Sequence, residues 1–109
     1  MKEIKAVVQR FMADQVVDRL REVPHLPGFT VTPVGGYSRS DHGPQSAKRV
    51  EEAKMTKIEI VVTDELAETV IEAITRAAHT GRSGDGKIFI SEVADVRKIR
   101  TGERGPAAI

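Results

Sequence analysis

The chain has 109 residues, 39% of them hydrophobic, and a formal net charge of +1; it suits one domain with a modest core and is too neutral for a bulk electrostatic nucleic-acid binder. Aromatic residues make up only 4%, with no tryptophan and Tyr37 as the sole tyrosine, so base stacking is excluded as a main binding mode. Cysteine is absent, which removes disulfides and thiolate chemistry, and no run is long and apolar enough for a signal peptide or a membrane span. A soluble cytoplasmic protein, with no nucleic-acid partner and no membrane insertion, is the expectation.

Residues 4–8 (Ile-Lys-Ala-Val-Val) read as a first strand. A helix follows, because Val16, Val17, Leu20 and Val23 recur at three- and four-residue spacing and Asp14 sits in the first turn, where a negative charge suits the helix dipole. Pro24, Pro27 and Gly28 stop it. Residues 29–34 alternate and are β-branched, giving a second strand expected to end at Gly35-Gly36. Residues 38–55 are polar, with few core formers and a mixed-sign charge run from Lys48 to Lys54. A loop of that length in a small domain is functional or disordered. Within it, residues 50–54 are expected to form at most a helical turn when a partner docks.

Residues 57–62 form a third strand with Ile58, Ile60 and Val62 on one face, and Thr63 then caps a second helix with Asp64 and Glu65 in its first turn. Leu66, Val70, Ile71 and Ile74 make its apolar stripe. Residues 88–93 are the fourth strand, and a polar turn with a short apolar end closes the chain. The order is β-α-β, long loop, β-α-β. This is an α+β, ferredoxin-like plan: a four-stranded antiparallel sheet with both helices on one face, in a single domain over 1–109. Val7, Val61, Phe89 and Val93 fall on the other face by alternation, and such a patch marks an interface. A closed homo-oligomer with its sheets packed inward is expected.

The chemistry concentrates in Thr80-Gly81-Arg82-Ser83-Gly84-Asp85-Gly86-Lys87, followed by Lys98-Ile99-Arg100-Thr101-Gly102-Glu103. Glycines between a helix and a strand let consecutive N–H groups face an anion, and Lys87 adds a full charge. The second stretch supplies Lys98 and Arg100 on a turn. The pair reads as a phosphate cradle with basic clamps. The nucleotide-hydrolase loop G-x-x-x-x-G-K is a false match, since Ile88 stands where that loop needs Ser or Thr and the loop leads from helix to strand. Asp41-His42 lacks the third and fourth ligands of a metal site, with His25 and His79 elsewhere in the chain, so no metal centre is expected.

The 80–90 stretch, with the Ile99-Arg100-Thr101-Gly102-Glu103 that follows it, resembles the C-terminal signature of the PII signal-transduction family, the nitrogen regulatory P-II proteins. Weaker similarity covers the rest, from the opening strand and helix through Thr30-Val31-Thr32 and Lys57-Ile58-Glu59 to the final Ala107-Ala108-Ile109. The resemblance implies a homotrimer with an adenine-nucleotide site (ATP, ADP or AMP, with Mg2+ as companion) in each intersubunit cleft. It assigns Gly84, Asp85, Gly86 and Lys87 to the phosphate-binding loop of 80–87, and Lys98 and Arg100 to the C-terminal loop of 97–105. Thr30 would line the adenine pocket, with backbone groups of Val62 and Thr63.

Residues 38–55 correspond to the family's mobile T-loop, with Arg39, Asp41, His42, Lys48 and Arg49 as partner-binding positions. The partner would be a transporter or a metabolic enzyme. Three departures stand out. The loop has no tyrosine for nucleotidylation, Lys98 replaces an arginine and so loses its bidentate fork, and Ser40 replaces the glutamine that helps hold magnesium and 2-oxoglutarate. Lys57 matches the lysine that anchors the 2-oxoacid, so sensing of that acid is expected to be weak or absent in a divergent member. Two other readings use the same fold: a slow ATPase, and a structural or metal-related trimer of the divalent-cation-tolerance type.

Overall fold

Alternation along the first strand sets the architecture. In the computed structural model, which describes residues 1–39 and 50–109, β1 (Lys2–Gln9) buries Ile4, Ala6 and Val8 and leaves Lys5 and Val7 half-buried on its opposite face. A 3-10 turn leads into α1 (Ala13–Arg21), which buries Val16 and Leu20. Val23 lies past the end of this helix, its N–H bonded to the Leu20 carbonyl at 3.0 Å. The chain then turns through His25 at φ +60.

The remaining elements are β2 (Thr30–Arg39), β3 (Val50–Val62), α2 (Asp64–Ala78) and β4 (Gly86–Glu92). The sheet is antiparallel throughout, in the order β2-β3-β1-β4. Ile58, Ile60 and Val62 from β3 join the β1 residues beneath Val16 and Leu20 of α1 and Val70 and Ile74 of α2. Both helices therefore cover one face, and the fold is the ferredoxin-like one that the β-α-β, β-α-β order implies.

On the uncovered face the register aligns Val7 with Lys57 and Lys87, and Lys5 with Glu59 and Phe89. Val7, Val61 and Phe89 fall there as alternation requires, and Phe89 is 54% exposed. Val93 continues the β1–β4 register just past the last paired strand residue. It follows the end of β4, where its N–H bonds the Met1 carbonyl at 3.1 Å.

The strands around the central segment are longer than the sequence pattern suggests. β2 runs through Gly35-Gly36 to Arg39, and β3 begins at Val50, with Gly36 opposite Ala53 and Arg39 opposite Val50. Residues 50–54 are thus strand and not a helical turn. Two contacts explain this. Arg10 donates one guanidinium nitrogen to the carbonyls of Val34 (3.1 Å) and Met55 (3.2 Å), pinning the strands together. A Cβ on Gly36 would come within 3.0 Å of the Met55 side chain, so the glycine makes room for a buried methionine. Pairing overrides the weak β propensity of Gly, Glu, Ala and Lys.

Thr63 occupies the N-cap position of α2 in an extended conformation, but its side chain makes no capping bond. The N-terminal ammonium sits 2.9 Å from Asp64 in the first turn and holds that carboxyl below its ordinary pKa. Among the described residues no helix is long and apolar enough to cross a membrane.

Candidate functional site

The 79–86 segment is a knot of hydrogen bonds around one carboxylate. Asp85 accepts the Thr80 N–H at 2.7 Å, the Gly81 N–H at 3.0 Å and the Thr80 hydroxyl, while His79 lies 3.8 Å away. The Thr80 hydroxyl, then the Thr80 and Gly81 amides, and more weakly His79, keep the Asp85 carboxyl below the usual carboxylate range. Thr80 also accepts the Arg82 N–H at 3.2 Å. Asp85 thus shapes the loop from within, and the amides of Ser83 and Gly84 stay outside its network.

Two further contacts fix the loop to the sheet. Gln9, at the end of β1, donates its side-chain amide to the Gly84 carbonyl at 2.6 Å. Gly86 has φ +109, and a Cβ there would fall 1.8 Å from the Val7 carbonyl oxygen. Only glycine permits that approach. Lys87 then enters β4 opposite Val7, in the same row as Lys57, so the two lysines flank Val7 on the uncovered face. With strands about 4.8 Å apart, their backbones are about 10 Å apart. Lys57 is paired with Glu59 at 3.3 Å. On the helix side, α2 and β4 flank an open cleft of about 420 Å³ lined by Ile71, Ile74, Ile88, Ile90, His79 and Asp85.

The C-terminal segment forms an arch. The Lys98 N–H donates to the Glu103 carbonyl at 2.9 Å and the Gly102 N–H to the Lys98 carbonyl at 2.8 Å, with Arg97 and Arg104 facing each other below. Ile99 is fully exposed at the tip. Lys98 lies 3.9 Å from Glu103, so part of its charge is offset. Arg100 is exposed, and among the described residues no ion pair engages it.

The sequence-derived site residues fall into two groups. Val62 is buried at the end of β3 opposite Lys2, and Thr63 lines a second cleft with Pro24, His25, Leu66, Pro106 and Ile109. The arch leaves from that same end, because Val93 bonds Met1. Gly86 pairs with Val8 at the other end of β1. From Lys2 to Val8 is about 20 Å at roughly 3.3 Å per residue. Thr30, exposed, lies between them, opposite Glu59. One protomer therefore brings Val62 and Thr63 to the arch's end of the sheet and sets Gly84, Gly86 and Lys87 at the far end.

Arg39 closes β2, while Asp41, His42, Lys48 and Arg49, like Ser40, lie outside the described residues. Among the described residues no cluster of three or more His, Cys, Asp or Glu side chains could hold a metal. Sequence reasoning missed Gln9 and Arg10. Their only signal is polarity at a strand end, which distinguishes no partner from solvent.

Comparison with known proteins adds to this geometry. The family model described as nitrogen regulatory protein P-II matches residues 1–103. The nitrogen regulatory protein P-II of Rhizobium meliloti is 46% identical over the full length of both chains. Among solved structures, the B. subtilis GlnK-ATP complex superposes with a TM-score of 0.86 at 30% identity, covering 99% of this chain and 94% of that one. Arabidopsis thaliana PII bound to citrate superposes at 0.79 with 35% identity, covering 99% and 91%. The glycine-rich loop, the basic arch and the sheet that separates them thus occur in a chain that belongs to the nitrogen regulatory protein P-II family.

Proposed function

We propose that this chain is a cytoplasmic trimeric regulator of nitrogen-linked signalling that binds an adenine nucleotide between protomers. It would control a transporter or enzyme through residues 38–55. The observation that carries the reading is the separation of the two half-sites. The 84–87 cradle and the Lys98/Arg100 arch occupy opposite ends of one sheet, so a single phosphate chain meets both only where two protomers abut. The uncovered sheet face, with Val7, Val61 and Phe89, supplies the apolar surface for that contact. The B. subtilis relative was solved with ATP, which supports the choice of ligand.

The cradle's glycine amides and Lys87 would hold phosphate oxygens, and Arg100 with Lys98 would close on them from the next protomer. Thr30 and the backbone of Val62 and Thr63 would face the adenine. A Mg2+ ion would travel with the phosphates. A nucleotide shifts the 38–55 segment only by binding its two arrangements with different affinity. We read the protein as a regulator without a reaction of its own. Asp85 is bound within its loop and Glu103 accepts the Thr101 hydroxyl at 2.9 Å, which leaves neither poised as a general base. Lys57, the 2-oxoacid anchor, is engaged by Glu59, in keeping with weak 2-oxoglutarate sensing.

The test is calorimetric titration with ATP, ADP and AMP, each with and without Mg2+ and 2-oxoglutarate. Binding at one nucleotide per protomer is the expected result. Absence of binding by all three nucleotides would leave the glycine loop as scaffold and favour the structural trimer.

A further inference from the structure

We propose that Asp95 is a positioning residue: paired with Arg104, it buckles the 97–104 arch shut in the nucleotide-free protein and so presents Lys98 and Arg100 ready-formed. The inference deepens the nucleotide reading above and rests on it for its binding half. Four donors meet on this one carboxylate. Arg104 gives its Nε at 2.9 Å and its Nη2 at 2.6 Å to one oxygen, while the amides of Val96 (2.9 Å) and Gly105 (3.1 Å) bond the other. Val96 and Gly105 belong to opposite legs of the arch and are also joined by Gly105 N–H to Val96 C=O at 3.0 Å. One side chain thus ties both legs at their base.

Charge explains why a tie is needed. Arg97 and Arg104 face each other across the bridge, and like charges directly opposite push strands apart. Lys98 and Arg100 add to the cationic crowding. Glu103 is committed higher up, to Lys98 and Thr101. Asp95 is the carboxylate at the base, where two charge-assisted bonds from Arg104 to a single oxygen offset its charge and limit its rotation. The Arg104 contact is also the leading cause of a lowered Asp95 pKa. An arch already closed loses less freedom when its cations engage an anion, and the ligand binds more tightly for it.

The experiment uses the full chain with two single variants, Asp95→Asn and Arg104→Gln, and their double. In the nucleotide-free protein, amide exchange at Lys98, Gly102 and Gly105 should speed up about tenfold in each variant, the loss of about 1.4 kcal/mol of local stability. Exchange in the β1 and β3 core should stay unchanged. The dissociation constant for ATP should rise about tenfold, that for AMP much less, since AMP offers the arch's cations one phosphate where ATP offers three, and the double variant should lose no more than either single. Unaltered exchange at the three amides would overturn the buckle. Equal losses for ATP and AMP, or additive losses in the double, would overturn its positioning role. A wild-type protein that binds no nucleotide would instead sink the nucleotide reading, and the exchange rates would still decide whether Asp95 closes the arch.

Discussion

Gly86 and the Val7 carbonyl are packed so closely that a Cβ on residue 86 would lie 1.8 Å from the oxygen. This contact sets the end of the cradle against the central strand, at the point where the chain changes from loop to β4. Gly86→Ala combines this clash with a positive φ and should cost about 3 kcal/mol or more. Gly102→Ala has a positive φ but nothing within 4 Å, and should cost only about 1–2 kcal/mol. Urea midpoints of the two variants make the comparison, and equal losses would contradict the close approach.

Lys87 extends from the row it shares with Val7 and Lys57. Removing it should weaken nucleotide binding by about 1.5–3 kcal/mol, the range of a hydrogen bond to a charged group. Calorimetry on Lys87→Ala reads this directly, and an unchanged affinity would remove the lysine from the site.

The half-site arrangement makes a prediction about mixtures. Lys87→Ala and Arg100→Ala should each bind nucleotide poorly alone. Trimers reassembled from both should recover normal sites at a share of their interfaces, as the proposed pairing of one protomer's arch with its neighbour's cradle requires. Mixtures that bind no better than the separate variants would place both groups in a site within one protomer.

Asp85 is held below the ordinary carboxylate range, chiefly by the Thr80 hydroxyl. A depressed carboxyl contributes stability that is complete above its unfolded value, about 3.9, and that is lost as pH falls through the lower folded value. The 79–86 loop should therefore stay closed at neutral pH and open only on acidification below about pH 4. Amide signals of Thr80 and Gly81 followed by NMR should show that transition, and Asp85→Asn should lack it. A transition unchanged by Asp85→Asn would assign it elsewhere.

Ile58 is fully buried in the centre of the sheet beneath both helices. Ile58→Ala should lower stability by about 2–5 kcal/mol. Thermal unfolding measures it, and a loss below about 1 kcal/mol would mean that the site collapses around the smaller side chain.

Sequence alone determined the two helices and the core faces of β1 and β3, and it singled out the glycine-rich and basic stretches, because each depends on local periodicity or on residue types that backbone geometry demands. Ile58, Ile60 and Val62 alternate plainly, and the glycines of 80–87 announce a tight loop. The register remained hidden. That Lys57 and Lys87 flank Val7, and that residues 50–54 are strand, follow from pairing partners distant in the chain. Asp85 could be placed in the glycine-rich loop from sequence, but its role as the loop's internal acceptor needs Thr80 and Gly81 folded back on it. Gln9 and Arg10 gave no signal, since a polar side chain at a strand end gains its meaning only from the carbonyls it meets. The separation of cradle and arch was likewise decided by the tertiary structure. Both stretches lie within 25 residues of sequence, yet β4 carries the chain from one end of the sheet to the other between them.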